Sequence, residues 1–394
     1  MSTRLTSQRN ARVLAAMAPF MRFFDDSTWV RRKDDAGICD FVFGNPHDMP
    51  LEGFVDALRR NVTPRNEHWF AYKTNETASR KVVATTLRER SGAPFRPEDV
   101  FLTNGAFAAL ATALSALVDP GDEVVFVSPP WFFYEALIVA QGGVAVRVQA
   151  DADSLDLDVP AIERALSERT RAIIVNSPNN PTGKVYPAQT LRALAATLSA
   201  ASERHGRPIY LLSDEAYSRI LFDGRDFLSP TTFYPDALLL YTYGKTLLTP
   251  GQRLGYIALP PTMPNRAELR SALLAAQFVT GFAFPNALLQ HALPDLDSLS
   301  IDVDELQRKR DRMVAELGAM GYSLHVPEGT FYLLVRSPLA DDLAFVELLA
   351  EHDVFCLPGS IVELPGTFRV SLTASEDMIT RSLPGFEAAL AGLR

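Results

Sequence analysis

The sequence is poor in cysteine and in metal-binding patterns. Its 394 residues include two cysteines, Cys39 and Cys356, which lie far apart and outside any CxxC pair. We therefore predict neither a disulfide scaffold nor a thiolate zinc site. The six histidines form neither an HExxH motif nor an i, i+4 pair. We therefore predict no metal site.

Long runs of one charge sign and long hydrophobic runs are also absent. The formal net charge is -9, without the basic stripe of a nucleic-acid binder. The most apolar stretch, residues 102–118, is interrupted by polar residues and is not a continuous membrane span. The composition, 47% hydrophobic and 22% charged, is that of a folded globular protein. These features favour small-molecule chemistry in the cytoplasm, with no nucleic-acid or membrane partner.

The N-terminal segment allows two interpretations. From Met1 to Phe24 there is no acidic residue, and Arg4, Arg9, Arg12 and Arg22 mix with serine and threonine, as in organelle transit peptides. Alternatively, the segment is an arm with a first helix, because one stripe would carry Val13, Met17, Phe20 and Phe24. We favour the arm, since nothing marks a cleavage site.

Short apolar runs alternate with Ala- and Leu-rich helical patterns, which predicts an α/β fold. The expected architecture is a mostly parallel seven-stranded sheet with helices on both faces. The predicted strands are Asp99–Thr103, Glu123–Ser128, Ala145–Val148, Ala172–Asn176, Ile209–Ser213, Leu238–Thr242 and Gly255–Leu259.

The pattern changes after about residue 290, where a smaller α+β domain is expected. Its predicted elements are a helix at Asp304–Met320, a strand at Gly329–Val335, a helix at Asp342–His352 and a strand at Thr367–Leu372. The predicted division is an arm and part of the small domain in residues 1–50, a large domain in residues 51–288 and the C-terminal small domain in residues 289–394.

Four polar motifs follow predicted strands, where open parallel sheets bind ligands. In the first, Thr103-Asn-Gly-Ala-Phe107, small residues open a helix, and the helix N-terminus attracts anions. A tight turn without a ligand would look the same. The second, Asn176-Ser-Pro-Asn-Asn-Pro-Thr-Gly183, predicts a rigid turn that fixes Asn180, with a plausible cis bond before Pro181.

The third motif, Ser213-Asp-Glu-Ala-Tyr217, brings two acids out of a buried strand; a helix N-cap is the alternative. The fourth, Tyr241-Thr-Tyr-Gly-Lys245, places a lysine at a strand end, with Arg253 eight residues later. A P-loop is excluded because Leu239 stands where its first glycine belongs, and no GxGxxG motif indicates a dinucleotide site.

These motifs, in this order, resemble the class I, aspartate-aminotransferase-like family of fold-type I pyridoxal-phosphate (PLP) enzymes. The resemblance covers about residues 41–372. It implies that Lys245 forms a Schiff base with the cofactor and moves the substrate proton, and that Asp214 pairs with the pyridine nitrogen. The catalytic residues it implies are Lys245, Asp214 and Tyr217.

The other roles that the resemblance implies concern the phosphate, the ring and the substrate. Further cofactor-binding residues are Gly105, Ala106, Phe107, Trp131, Asn180, Thr242, Arg253 and, for the site of the neighbouring subunit of a homodimer, Tyr72. Substrate-binding residues are Gly44, Trp131, Asn180 and Arg369, the last for the α-carboxylate. The expected substrates are an L-amino acid and a 2-oxo acid.

Some positions depart from the family pattern. Phe107 stands where a hydroxyl residue or a lysine is common, Gly244 replaces a small hydroxyl residue, and Thr77 stands where a glycine usually follows Tyr72. Residues 271–286 contain no arginine for a substrate side-chain carboxylate, and Gln277 is their long polar residue. A hydrophobic or bulky substrate is favoured by the nearby aromatics, which core or interface packing would also explain: Trp131, Phe132, Phe133, Tyr134, Phe282 and Phe284.

Two other functions share this fold. A lyase, decarboxylase or oxidase would use the same cofactor and the same Cα–H cleavage, so the motifs do not separate it from a transaminase. A PLP-sensing module without turnover usually carries a DNA-binding domain, for which this chain has neither room nor a basic segment. Transamination is the prediction.

Overall fold

The computed structural model describes residues 5–393; residues 1–4, including the Arg4 of the predicted arm, and residue 394 lie outside it. The helices are α1 (Gln8–Asp26), α2 (Thr28–Arg32), α3 (Glu52–Val62), α4 (Thr77–Ser91), α5 (Gly105–Leu117), α6 (Tyr134–Ala140), α7 (Val159–Ala165), α8 (Ala188–His205), α9 (Tyr243–Thr246), α10 (Arg266–Val279), α11 (Ala287–Leu296), α12 (Val303–Met320), α13 (Asp342–Ala350) and α14 (Glu376–Ala391). The strands are β1 (Cys39–Asp40), β2 (Val100–Thr103), β3 (Glu123–Ser128), β4 (Val144–Gln149), β5 (Thr170–Asn176), β6 (Tyr210–Asp214), β7 (Ala237–Thr242), β8 (Gly255–Ala258), β9 (Leu324–His325), β10 (Tyr332–Arg336), β11 (Val354–Phe355), β12 (Leu357–Pro358) and β13 (Thr367–Ser371).

The large sheet has seven strands in the order β2-β8-β7-β6-β5-β3-β4. Strand β8 runs antiparallel to β2 and β7, while the pairs from β7 through to β4 are parallel. Each predicted strand forms, with its ends shifted by no more than two residues. The predicted α/β fold with a mostly parallel seven-stranded sheet is confirmed.

Both faces of the central strands are covered, which explains why these strands are mostly apolar. Alternate side chains of a strand point to opposite faces. In β5, Ile174 packs with α5, α6 and α10 on one face, and Ile173 packs with α7 and α8 on the other. At the β2 end of the sheet, the second face is covered by α3, α4 and α11.

The smaller α+β unit is built around the antiparallel sheet β12-β13-β10-β9. Helices α12, α13 and α14 pack on it around a core that includes Met313, Phe345 and Phe386. The N-terminal segment joins it directly, because β1 pairs in parallel with β11. The predicted domain boundaries stay a prediction.

Helix α1 forms as the arm interpretation requires. Ser7 caps its N-terminus by accepting a hydrogen bond from the Asn10 N–H at 3.1 Å. The helix packs along α6, and its stripe turns Phe20 toward Phe132. Within residues 5–393, no helix is both long and apolar enough to cross a membrane.

Candidate active site

One cavity of about 370 Å³ lies beyond the carboxyl ends of β5, β6 and β7, between the large sheet and strands β10 and β13. That volume is within the usual range for small-molecule sites. The cavity brings together eleven of the residues named from the sequence, although they come from distant parts of the chain: Gly44, Ala106, Phe107, Trp131, Asn180, Asp214, Tyr217, Thr242, Lys245, Arg253 and Arg369.

One end of the cavity is suited to an anion. Gly105 adopts φ +83° at the start of α5, and a Cβ there would lie 2.8 Å from Arg253 Nη2 and 3.2 Å from Thr242 Oγ1. The glycine therefore lets the backbone approach both side chains. Asn104 does not cap the helix with its side chain, so the first N–H groups of α5 keep their capacity to donate. Arg253 forms no ion pair within residues 5–393.

A buried carboxylate, Asp214, lies at the end of β6. It is 5% exposed, and it accepts hydrogen bonds from the Tyr134 hydroxyl at 2.6 Å and the Ala216 N–H at 3.3 Å. Burial raises the pKa of the Asp214 carboxyl, against the opposing effects of these hydrogen bonds and of Lys245. Because no described cation forms an ion pair with it, a ligand cation would be stabilised there.

Lys245 occupies the short helix α9, directly after β7, and its side chain enters the cavity. Its Nζ lies 5.6 Å from the ring centre of Tyr217 and 5.5 Å from that of Phe331. The ammonium group makes no ion pair with any residue in the described part of the chain. Among the described residues, no carboxylate therefore pairs with this amine.

The cavity also contains a buried arginine that pairs with no carboxylate in the described part of the chain. Arg369, on β13, is 1% exposed and donates to Asn180 Oδ1 at 2.9 Å and to the Val42 carbonyl at 2.8 Å. Its Nε has no hydrogen-bond partner among residues 5–393, and its guanidinium lies 3.9 Å from the ring centre of Tyr332. Burial lowers the pKa of Arg369. A guanidinium kept in such a place is stabilised by an anionic ligand.

Gly44 is required by its surroundings. A Cβ at this position would overlap the ring of Phe331 and lie 2.7 Å from the Tyr332 hydroxyl. The backbone before it, at Val42, accepts the hydrogen bond from Arg369. Gly44 thus lies on the cavity wall beside the Arg369 guanidinium.

The predicted turn after β5 is present, with a cis peptide bond between Asn180 and Pro181. Asn176 accepts a hydrogen bond from the Asn180 N–H at 2.7 Å, and Asn180 accepts one from Arg369. The turn therefore fixes the Asn180 side chain in the cavity, as its composition predicted.

Residues 38–383 match the family described as aminotransferase class I and II. The chain belongs to this family. It is 32% identical to the aspartate/prephenate aminotransferase of Thermus thermophilus, over 91% of this chain and 92% of that protein. It is 31% identical to the aspartate aminotransferase of Thermotoga maritima, over 78% of this chain and 80% of that protein. The structure of an amino transferase from Eubacterium rectale is similar, with a TM-score of 0.87 and 28% identity, over 98% of this chain and 96% of that one.

The predicted enzyme class is therefore confirmed: the protein is an aminotransferase. Its cavity holds three cationic side chains and one carboxylate that form no ion pairs within residues 5–393: Lys245, Arg253, Arg369 and Asp214. Two of these groups, Asp214 and Arg369, are buried, and such charges are costly to bury unless a ligand pairs with them. This arrangement suits a ligand set with a phosphate, a carboxylate and a cationic ring.

The sequence interpretation missed two tyrosines of this aminotransferase. Tyr134, noted only as an aromatic residue, is 2% exposed and holds Asp214. Tyr332, whose ring centre lies 6.0 Å from that of Tyr217, lines the cavity. Burial acts to raise the pKa of the Tyr332 phenol, but the charges of Lys245 and Arg369 outweigh it and lower that pKa. No sequence signal distinguished either tyrosine from a core residue.

Two other residues named from the sequence lie away from the cavity. Tyr72 is 85% exposed and packs its ring 4.7 Å from that of Phe284. Gln277 is fully buried and donates to the Leu102 carbonyl at 2.7 Å, while accepting from Asn75 at 3.1 Å. Its amide is therefore occupied by structural hydrogen bonds.

Proposed function

We propose that this aminotransferase exchanges an amino group between an L-amino acid and a 2-oxo acid, with pyridoxal 5′-phosphate bound covalently through Lys245 Nζ. The observation that carries this proposal is the set of unpaired charges in one cavity. Each charge has a counterpart on the cofactor or the substrate: Arg253 for the phosphate, Asp214 for the protonated ring nitrogen and Arg369 for the α-carboxylate.

The phosphate would be bound at the N-terminus of α5. The backbone N–H groups of Gly105, Ala106 and Phe107 would donate to its oxygens, with Thr242 and Arg253 beside them. Helix N-termini and arginines are the usual protein partners of phosphate. The close approach of Gly105 to Arg253 supports this assignment.

The ring would lie between Trp131 and the end of β6. Asp214 would hold the ring nitrogen protonated, and Tyr134 keeps that carboxylate oriented through its hydrogen bond. Asn180 and Tyr217 would donate to the ring oxygen. The cofactor supplies an electron sink for cleavage of the bonds at the substrate Cα.

The substrate carboxylate would bind Arg369, which Asn180 and the Val42 carbonyl hold in place. Gly44 leaves room beside it. Lys245 Nζ, once freed from its covalent link, would take the proton from the substrate Cα and deliver it to C4′ of the cofactor, two bonds away. Proton transfer of this kind needs an amine within hydrogen-bond reach of the carbon, and Lys245 forms no ion pair with residues 5–393 that would restrain it.

A homodimer with shared sites is part of the proposal. Tyr72 lies outside its own cavity and among exposed apolar residues, which supports a role in the site of the partner subunit: Phe70, Phe278, Val279 and Phe284. Because α1 contributes to the cavity, we also infer that the N-terminal segment is an arm of the enzyme. A cytoplasmic location stays a prediction from the sequence.

An absorption spectrum of the purified protein tests the proposal. We expect an absorption band at about 410–430 nm that shifts to about 330 nm with an amino donor, since transamination removes the double bond that conjugates the cofactor ring with the Lys245 nitrogen. Lys245→Ala should remove turnover and this conversion while leaving the thermal midpoint close to that of the wild type. Lys81→Ala, at an exposed lysine, is the matched control. Turnover by Lys245→Ala at the wild-type rate would contradict the assignment.

A further inference from the structure

The outer wall of the cavity is a continuous row of aromatic rings, which we call the aromatic rim. Successive ring centres along the row are 4.9 to 6.4 Å apart. In spatial order, its members are Trp131, Phe107, Phe133, Phe20, Phe24 and Phe43.

The rim spans the cavity from the anion-binding end to the carboxylate-binding end. Phe107 lies in the first turn of α5, and Phe43 directly precedes Gly44. Phe24 is 40% exposed and Phe107 is 37% exposed, whereas Arg369 and Asp214 are buried. The two buried charges therefore form the inner wall of the cavity, and the rim faces them from the solvent side.

Helix α1 supplies the middle of this wall. The ring of Phe20 stacks on Phe132 with centres 4.9 Å apart, and it lies 5.1 Å from the ring of Phe133. Phe24 packs edge-on against Trp29, with ring centres 5.7 Å apart. These contacts fix the arm over the mouth of the cavity. The rings therefore offer an apolar surface to a substrate side chain that extends from the inner wall toward solvent.

The described part of one chain offers no further cation for a second substrate carboxylate. Within residues 5–393, the cationic side chains that line the cavity are Lys245, Arg253 and Arg369, and each has a role in the proposed function. Gln277, the remaining candidate from the sequence, is occupied by Leu102 and Asn75. A carboxylate against the rim would lose water without gaining a partner, whereas an apolar ring would gain stacking contacts.

We propose that the preferred amino donor carries a large, neutral, apolar side chain, above all an aromatic one, and that the aromatic rim selects it. This inference rests on the proposed function of the same site. The substrate is recognised by its α-carboxylate at Arg369 and by its side chain at the rim.

The first test compares donors in the half-reaction of the PLP-loaded enzyme: phenylalanine, leucine, alanine, aspartate and glutamate. We expect kcat/KM for phenylalanine to exceed that for aspartate by about 100-fold or more, since pocket contacts give discrimination of this order. Equal or faster turnover of aspartate or glutamate would overturn the inference and leave transamination intact. Conversion by none of the five donors would overturn the inference and the proposed function together.

The second test uses variants of α1. Phe24→Ala should lower kcat/KM for phenylalanine about tenfold and change that for alanine by less than about threefold, because alanine does not reach the rim. Leu14→Ala, at a 50% exposed position of the same helix that does not line the cavity, is the matched control and should change neither. An equal loss for both donors in Phe24→Ala would indicate a merely structural role and contradict selection by the rim.

Phe24→Arg adds a charge to the rim at a partly exposed position that should tolerate it. We expect the aspartate value of kcat/KM to rise about tenfold or more, because the new cation can pair with the second carboxylate. Thermal midpoints of both variants establish that they are folded. No gain for aspartate in a folded Phe24→Arg enzyme would count against the rim as the side-chain site.

Discussion

Replacement of Arg369 by methionine should weaken substrate binding strongly and change the stability of the fold only slightly. Methionine keeps much of the length of the side chain and removes the guanidinium. Truncating one partner of a buried, hydrogen-bonded charge pair costs about 2–5 kcal/mol of binding. At about 1.4 kcal/mol per factor of ten, this is a loss of about 30-fold to several thousand-fold in kcat/KM. Since Arg369 is 1% exposed, we expect the upper half of that range.

The same change should leave the fold nearly as stable as before. The free enzyme would lose two hydrogen bonds, to Asn180 and to the Val42 carbonyl, each contributing about 1 kcal/mol. The change would also remove a buried charge that has no carboxylate partner within residues 5–393, and this removal should stabilise the fold. We therefore expect the free energy of unfolding to change by less than about 2 kcal/mol.

The assay is the half-reaction followed by absorbance over a range of donor concentrations, together with thermal unfolding. The loss should appear mainly in KM, because the carboxylate is bound throughout the reaction. Arg336→Met, at an exposed arginine of the neighbouring strand β10, should behave like the wild type. A kcat/KM for Arg369→Met within fivefold of the wild-type value would refute the carboxylate role.

Three further predictions concern neighbouring groups. Tyr134→Phe removes a hydrogen bond that lowers the pKa of Asp214, so that pKa should rise. The acidic limb of the pH–rate profile should therefore move to higher pH; an unmoved limb would contradict the role of Tyr134 in setting the Asp214 pKa. Gly44→Ala should lower the free energy of unfolding by about 1–3 kcal/mol, measured in urea, because its Cβ would overlap Phe331. An unchanged value would mean that the Phe331 ring moves aside without cost and would contradict this prediction. Burial raises the pKa of Glu215 from 4.5 to about 7, so its stabilisation is complete below pH 4.5 and is lost as the pH rises through 7. Glu215→Gln should remove this pH dependence, about 2–3 kcal/mol between pH 5 and pH 8, from the free energy of unfolding measured in urea at the two pH values; an identical dependence in both proteins would contradict it.

Much of the fold could be predicted because its strands are buried on both faces. A run such as Glu123–Ser128, with apolar residues on both faces and turn residues at its ends, has few alternatives to a central strand. The shifts at other strand ends, such as the start of β5 at Thr170, reflect pairing with β3 beyond the apolar run. Pairing partners are not visible in the local pattern.

The candidate site was predictable where a motif sits at a strand end, and not where distant segments meet. Asn180 and Asp214 follow strands whose carboxyl ends share one edge, so their proximity follows from the parallel sheet. Phe20 was visible as part of a helical stripe, but its position over the cavity depends on packing against Phe132. Tyr332 reaches the cavity because β10 pairs with β13, a contact between segments separated by about thirty residues.

The pairing of β1 with β11 has a consequence for synthesis of the chain on the ribosome. Cys39 pairs with Val354, so β1 cannot form its hydrogen bonds until most of the protein has been translated. In the same way, β2 cannot pair until β8, which ends at Ala258, has been synthesised. Arg369 emerges later still. The large sheet can therefore close before the cavity is complete, and in this order the nascent chain would acquire its scaffold first and its capacity to bind substrate last.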